Sequence, residues 1–179
     1  YTALMQHHLI VICNIDGKAF GAIRRKMLKD FVRAGGNVLF LGGKFAFGKT
    51  YHGTALEEIC PVEFPTKQNL HHAPDGLSMT PADTDLAAGL KGLPWDEDPR
   101  VFWYHEISPK PAAQRILNAD GKPLCVAGTF GRGRVIVFAG SVMGDPPAGR
   151  LPFWDWEHWP TVLAHMMKWA AEPGRDKAP

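Results

Sequence analysis

The sequence predicts an α/β fold with a mainly parallel sheet and an added β-meander. Two short apolar runs, residues 9–15 and 38–41, have the continuous hydrophobic composition of strands that are buried on both faces. The helical pattern between them, residues 19–34, has the length of a right-handed crossover connection, which makes the two strands parallel. We therefore expect the two runs to be neighbouring central strands. The second half of the chain carries several strand patterns separated by turn residues.

Length, composition and charge favour one globular domain. The chain has 179 residues, of which 45% are hydrophobic and 21% charged, and its formal net charge is +2. A chain of this size and composition can bury a large core. We expect one domain over residues 1–172 and a flexible polar tail over residues 173–179. The mild charge argues against a nucleic-acid partner, and no apolar run approaches the roughly 20 residues that insert across a bilayer.

The chain has no initiator methionine, and its apolar pattern begins almost at the first residue. We therefore expect a piece of a longer protein, whose partners are its other domains or further copies of the chain. The three cysteines, Cys13, Cys60 and Cys125, are too widely spaced for a disulfide framework or a metal site. Their apolar surroundings predict buried free thiols and favour a reducing, cytoplasmic compartment.

The helices of the first half are predicted from spacing and capping residues. Hydrophobic side chains recur every three or four residues between Phe20 and Val32, which is the pattern of one buried helix face. Gly35 is placed to end this helix, because glycine readily adopts the left-handed conformation that follows a helix. A short helix is predicted over residues 53–59, with Thr54 as its N-cap.

The second half is predicted to contain an irregular segment, four strands and a closing helix. Residues 65–99 are rich in Pro, Gly, Asp and His, and we expect an irregular excursion over the sheet with one helical turn at residues 85–90. Residues 119–122 and 130–133 have hairpin turn chemistry, so the last three strands form a meander. An amphipathic helix over residues 156–171 closes the fold. The four strand patterns are residues 101–105, 113–118, 123–128 and 134–139.

The turn after the second strand is the first candidate site. Ligands of open α/β sheets bind at the carboxyl ends of the strands, and that position holds Gly42, Gly43 and Lys44. Residues 43–50 match the spacing of a phosphate-binding loop, but two phenylalanines would crowd the phosphate and a poor helix start follows. We therefore expect no nucleotide and no other cofactor. The histidines show none of the zinc-site spacings, so we expect no metal.

Three segments together resemble the class I glutamine amidotransferase-like superfamily. They are residues 31–43 (FVRAGGNVLFLGG), 51–62 (YHGTALEEICPV) and 131–138 (GRGRVIVF), and the Trp-rich closing helix also fits. More narrowly, they are similar to a bacterial group known as putative glutamine amidotransferases. The resemblance covers about residues 9–171. It implies a flavodoxin-like three-layer α/β sandwich, whose usual opening strand and helix would precede residue 1.

The resemblance also implies that this chain lacks glutaminase chemistry. Active members of the superfamily carry a cysteine on the elbow that corresponds to about Gly42, and a histidine and a glutamate after a late strand. The segment in that second position, residues 140–145, contains no histidine. The imidazole normally holds the thiol as a thiolate, so the loss of both groups removes this route.

Two main functions remain open from the sequence. The first is a non-catalytic amidotransferase-like domain that binds a ligand or a partner. Glycine turns and strand ends expose backbone N–H groups, and a nearby lysine adds a cation, so the expected ligand is a small anion or a polyol. The alternative is that Phe45 and Phe47 close this crevice. The predicted lining is Asp16, Gly42, Gly43, Lys44 and Ser141.

The second function is a hydrolase of different chemistry in the same crevice. Asp16, Lys44, His52, Ser141 and Asp145 would be its reactive groups. A carbohydrate substrate is the first choice, because sugar-utilisation proteins are among the relatives that the resemblance implies. A purely structural or oligomerisation module is a third interpretation.

Overall fold

The structure is a computed structural model that describes residues 3–172, so the predicted tail at residues 173–179 lies outside the described residues. The strands are β1 (Leu9–Cys13), β2 (Asn37–Leu41), β3 (Val62–Glu63), β4 (Leu70–Pro81), β5 (Arg100–His105), β6 (Ser108–Pro109), β7 (Gln114–Ala119), β8 (Lys122–Phe130), β9 (Gly133–Phe138) and β10 (Gly140–Ser141). The α-helices are α1 (Gly21–Arg33), α2 (Ala55–Ile59) and α3 (Trp159–Ala171). Short 3-10 segments lie at Leu4–Gln6, Gly17–Phe20, Gly48–Thr50, Asp85–Leu90 and Trp95–Glu97.

The main sheet is mixed and has eight strands in the order β1-β2-β9-β8-β7-β4-β5-β10. Only the β1–β2 and β2–β9 pairs are parallel, and the other pairs are antiparallel. The expectation of a mainly parallel sheet is therefore wrong. The physical reason lies in the connections, because tight turns such as those between β7, β8 and β9 can join only antiparallel strands, whereas the α1 crossover joins parallel ones. A separate pair of strands, β3 and β6, is antiparallel.

The first βαβ unit has the predicted strand direction, but β1 is not central. Ile10 pairs with Val38 in a parallel ladder, as the two apolar runs predict. However, β1 lies at one end of the sheet, and Val11 is 45% exposed. β2 lies inside the sheet, and its residues Val38, Leu39 and Phe40 are fully buried. Both α1 and α3 pack against β2.

Helix α1 ends as the sequence predicts. Gly35 adopts a left-handed conformation, with φ of 107°, and donates its N–H to the Val32 carbonyl. Gly36 donates to the Phe31 carbonyl, which completes a Schellman motif. The helix begins only at Gly21, because residues 17–20 form a 3-10 turn.

Strand β4 is the longest element that the sequence prediction missed. Its twelve residues lie in the segment that we expect to be irregular. Residues 70–78 pair with β5, the last three residues pair with β7, and the β5 register shifts between His72 and Leu77. Gly76, with φ of 69°, lies at this irregularity. Tertiary pairing on both edges therefore stabilises a strand whose own sequence has little strand propensity.

The β7–β8–β9 meander is confirmed, and the closing helix is shorter than predicted. Both hairpins are antiparallel and turn at the expected positions. Helix α3 begins at Trp159, with Pro160 in its first turn, where a missing N–H has no cost. Trp156 precedes the helix and is buried, and its Nε1 donates to Glu97 Oε2 at 2.6 Å.

Candidate functional site

A crevice opens where β1 and β2 end beside the segment that follows β9. Its volume is about 390 Å³. The loop after β2 contributes Gly42, Gly43, Lys44 and Phe45. The other lining residues come from the ends of β1, β2 and β9, from the segment around β10, and from α3 with the loop before it. They are Cys13, Asn14, Leu41, Phe138, Gly140, Val142, Met143, Phe153, Trp159 and Leu163.

Gly42, the elbow position after β2, has no room for a side chain. Its N–H donates to the carbonyl of Phe138, on β9, at 2.9 Å. A Cβ atom at this position would lie against the carbonyl oxygens of Ala139 and Gly140. It would be 2.4 Å from the Gly140 oxygen, which is closer than Cβ atoms approach other atoms in real proteins. The close approach of β2 to the segment after β9 therefore requires glycine. A nucleophilic side chain could be carried here only if the backbone moved.

Asn14 joins the loop after β1 to the loop after β2. Its φ of 52° lies in the left-handed region, which asparagine tolerates better than most residues. Its Oδ1 accepts a hydrogen bond from the Phe45 N–H at 2.9 Å, and its own N–H donates to the Leu41 carbonyl. Gly43 packs so closely on Asn14 that a Cβ atom would overlap the amide. These contacts fix one rim of the crevice.

His105, on β5, supports the same loop from inside the protein. Its ring is completely buried, with Nε2 2.9 Å from the Gly43 carbonyl oxygen and Nδ1 3.0 Å from Asn69 Oδ1. The Asn69 amide is oriented by its Nδ2, which donates to the Glu106 carbonyl at 2.6 Å. A neutral imidazole has one N–H and can donate to only one of the two facing oxygens, whereas an imidazolium could donate to both.

Burial decides the protonation state of this ring. It lowers the pKa of His105 to about 4, although the Gly43 carbonyl acts in the opposite direction. A second hydrogen bond would contribute on the order of 1 kcal/mol, and burying an unpaired cation costs several kcal/mol. Within residues 3–172 no carboxylate pairs with this ring. His105 is therefore neutral near pH 7, and we assign its single N–H to the Nε2–Gly43 bond.

Three of the five residues predicted to line a ligand site lie together in the crevice. Gly42, Gly43 and Lys44 are lining residues. Asp16 instead caps the 3-10 turn that precedes α1, where its Oδ1 accepts from the Lys18 N–H at 2.7 Å. Its carboxylate is thus engaged outside the crevice.

Ser141 is also outside the crevice lining. It lies in β10, opposite Trp103 of β5, and is completely buried. In the described part of the chain its Oγ has no hydrogen-bond partner. Its neighbours Gly140 and Val142 line the crevice. Side chains alternate along a strand, so these two neighbours reach the crevice and Ser141 does not.

The two phenylalanines of the loop do not close the crevice. Phe45 is 55% exposed at the rim, with the Lys44 ammonium 5.7 Å from its ring centre. Phe47 points away into the core, where its ring lies edge-on to His105 at 5.3 Å. Phe47 has a φ of 62°, which is unusual for a residue other than glycine, and this turns the chain inward.

Cys13 is a crevice residue that the sequence interpretation missed. It is exposed, which corrects the expectation that all three thiols are buried. Cys13 is at the carboxyl end of β1, next to the turn at residues 14–16, and this position alone could have indicated that it lies at the crevice. Cys60 and Cys125 are buried as predicted, and burial raises the pKa of both thiols.

The apolar wall is the second feature that sequence reasoning missed. Trp159 and Leu163 lie four residues apart on α3, so they occupy the same helix face, and both line the crevice. The periodicity predicted this face, but it could not separate core positions from crevice positions.

The groups considered for a hydrolase are not assembled. His52 lies in another open pocket, where its Nδ1 is 3.0 Å from the Phe64 carbonyl oxygen and 3.3 Å from Glu57 Oε1. Asp145 follows β10 and does not line the crevice. Lys44 is thus the one member of that set at the crevice. Among residues 3–172 there is also no cluster of three His, Cys, Asp or Glu side chains that could hold a metal ion.

The mixed sheet and the α1 crossover define an α/β domain with a crevice at its strand ends. The chain belongs to the GATase1-like family, whose description is "Putative glutamine amidotransferase" and whose model matches residues 7–172. No curated protein matches the chain.

Solved structures share this fold at low sequence identity. The cytoplasmic protein STM1381 from Salmonella typhimurium LT2 has a TM-score of 0.81 and 23% identity, over 96% of this chain and 75% of that protein. The cytoplasmic protein STM3548 from Salmonella typhimurium has a TM-score of 0.81 and 19% identity, over 94% and 74%. Gan42B, a GH42 β-galactosidase, has a TM-score of 0.57 and 16% identity, over 95% of this chain and 22% of the enzyme.

Within residues 3–172 no helix is both long enough and apolar enough to cross a membrane.

Proposed function

We propose that this chain is a non-catalytic glutamine amidotransferase-like domain, a pseudoenzyme that binds a small molecule in the crevice between Gly42 and Trp159. The observation that carries the proposal is the elbow itself. Its backbone approaches Gly140 so closely that position 42 cannot hold a side chain, yet the crevice beside it is open. The fold thus keeps the place for a ligand without a reactive atom at the elbow.

The other groups near the elbow support a binding role. Glutamine hydrolysis by this fold requires a thiolate next to an imidazole. Cys13 is the thiol of the crevice lining, and among the described residues, 3–172, that lining contains no histidine and no carboxylate. His105 is close to the loop, but its Nε2–H is bonded to the Gly43 carbonyl and the ring is buried. It therefore supports the loop and does not activate a nucleophile.

The hydrolase alternative has less support. Its candidate groups lie in separate places, since Asp16 caps a turn and His52 lies near Glu57. The shared fold with a β-galactosidase, at 16% identity and over 22% of that enzyme, is no evidence that this chain acts on the same substrate.

A flavodoxin-like three-layer arrangement remains part of the proposal, and it is supported by the packing of both α1 and α3 on β2.

The proposal extends to location and assembly. Two proteins of the same fold are named as cytoplasmic, and we propose the same compartment for this chain. The chain spans about three quarters of each of those proteins. We also propose that the crevice acts together with other domains or further copies of the chain, without nucleic acid and without insertion into a membrane.

Two measurements test this function together. Ammonia release from glutamine should stay at the level of the buffer. Backbone amide shifts in a ¹H–¹⁵N spectrum should move at Gly42 and Gly43 when the protein is titrated with a panel of 3-phenylpropionate, 3-phenylpropionamide, sorbitol and inorganic phosphate. Turnover of glutamine, or a panel in which no compound moves these amides, would contradict the proposal.

A further inference from the structure

We propose that the crevice selects a small monocarboxylate with an aromatic or branched apolar body, and that it discriminates against polyols and amino acids. This inference rests on the proposed function, because it names the ligand class of the same crevice. The sequence alone led us to expect an anion or a polyol, and the crevice lining favours the anion.

The apolar body is inferred from the walls. Most of the side chains that line the crevice are hydrocarbon or aromatic, and they come from three separate parts of the chain. Phe45 stands on one rim, and Val142, 66% exposed, stands on the segment after β10. Trp159 and Leu163 face the crevice from α3. A volume of about 390 Å³ lies at the lower end of the range for small-molecule pockets.

The carboxylate is inferred from the charges. Lys44 is the one charged side chain in the lining, and within residues 3–172 it forms no ion pair. In the same described part of the chain, the N–H groups of Gly43 and Lys44 have no hydrogen-bond acceptor. One cation beside two unused N–H donors favours one anionic group, because a carboxylate accepts hydrogen bonds and donates none.

The same lining argues against two other ligand classes. A polyol needs both acceptors and donors along its length, but within residues 3–172 the polar side-chain groups of the lining are mostly donors: the Lys44 ammonium, the Asn14 amide, the Cys13 thiol and the Trp159 indole N–H. Asn14 already uses its oxygen to accept from Phe45. Hydroxyl groups against the apolar wall would lose their bonds to water without replacement. An amino acid such as glutamine would also leave its ammonium without a carboxylate partner.

The experiment compares ligands that differ in one group, using the whole chain. We expect 3-phenylpropionate to shift the amides of Gly42, Gly43 and Lys44, and to bind more tightly than 3-phenylpropionamide, which has the same body and no charge. Sorbitol, inorganic phosphate and glutamine should bind more weakly than either. Affinities come from the ¹H–¹⁵N titrations.

Variants identify the cation. Lys44→Gln should weaken 3-phenylpropionate binding about two- to fivefold, as expected for an exposed ion pair, and leave the amide unaffected. Lys49→Gln is the matched control, because Lys49 is exposed on the same loop and does not line the crevice. Val142→Asp should weaken the binding of 3-phenylpropionate more than Val142→Asn does. The two side chains have the same size, but the aspartate places a negative charge at the rim of the crevice that repels the carboxylate of the ligand.

The outcomes separate the two proposals. Sorbitol, phosphate or the amide binding at the crevice as tightly as the acid would overturn the ligand class and leave the proposed binding function standing. Equal effects of Lys44→Gln and Lys49→Gln would also overturn it. If no compound shifts the crevice amides, the binding function itself fails.

Discussion

The Nε2 atom of His105 lies 2.9 Å from the carbonyl oxygen of Gly43, the second residue after β2. This bond joins the antiparallel half of the sheet to the loop that forms the crevice, across 62 residues of sequence. Gly43 in turn packs on Asn14. The rim of the crevice is therefore held by a buried side chain that does not itself line the crevice.

This arrangement predicts that acid destabilises the protein through His105. Burial lowers the pKa of the ring to about 4 from its ordinary value of 6.5, so between these pH values the unfolded chain binds a proton that the folded protein does not. The free energy of unfolding should be highest above pH 6.5 and should fall by about 3 kcal/mol as the pH drops to 4. Urea unfolding at a series of pH values measures this.

Two variants and one direct titration test that assignment. His105→Gln should flatten the pH dependence, because glutamine does not titrate in this range. His7→Gln is the control, because His7 is exposed and is not a hydrogen-bond partner of His105, so the difference between the two variants isolates the buried ring. If His105→Gln does not fold, the imidazole can be titrated by NMR in the native chain. A ring that gains its proton at pH 6.5 or above would contradict the prediction.

The elbow predicts a large cost for one methyl group. Gly42→Ala would place a Cβ atom against the Gly140 carbonyl oxygen, so the backbone must shift. We expect a loss of stability of about 1–3 kcal/mol, typical of an overpacked site. Gly92→Ala is the matched control, because Gly92 is in an exposed turn with no atom near its Cβ position, and it should change stability by less than about 1 kcal/mol. Similar melting temperatures for both variants would refute the steric argument.

The fold was predictable where local and tertiary preferences agree. The β1–α1–β2 unit, its Gly35 cap and the meander all have strong local patterns, and all are found. β4 was missed because residues 70–81 include His71, His72, Pro74 and Gly76, which have weak strand patterns and pair only through distant partners. The sheet was expected to be mainly parallel because just two strands and a crossover were extrapolated to the whole sheet.

The sequence was sufficient to predict that the loop after β2 belongs to the site, but not which residues form the wall opposite that loop. Gly42, Gly43 and Lys44 follow from the rule that ligands bind at strand ends. The opposite wall, with Val142 and Trp159, is brought there by contacts between distant segments that no local spacing encodes. Asp16 and Ser141 were also expected to line the crevice. The Asp16 carboxylate instead caps a turn, and Ser141 is buried inside the protein.

The same geometry predicts that glutamine is not hydrolysed. The wild-type chain should release no ammonia above the buffer, and the single variants Cys13→Ser, Cys60→Ser and Cys125→Ser should give the same result. Gly42→Cys should not create activity either, because the clash at position 42 displaces the elbow. A coupled ammonia assay measures all of these. Ammonia release that one of the cysteine substitutions abolishes would show a thiol mechanism and contradict this prediction.

Thiol reactivity should distinguish the three cysteines. Cys13 is exposed, whereas Cys60 and Cys125 are buried and burial raises the pKa of their thiols. Ellman's reagent should therefore titrate one thiol rapidly in the native protein and all three in guanidinium chloride. Cys13→Ser should remove the rapid phase and leave the denatured protein with two reactive thiols. Rapid reaction of a second thiol in that variant would contradict the burial of the other two.

Because Cys13 lines the crevice, its modification should block the ligand. Reaction with N-ethylmaleimide adds a group that occupies part of a cavity of about 390 Å³, so the affinity for 3-phenylpropionate should fall at least tenfold. Cys13→Ser differs from the native side chain by one atom and should bind the acid normally, before and after treatment with the reagent. Titration of amide shifts measures both affinities. Unchanged binding to the fully labelled protein would place the ligand outside this crevice.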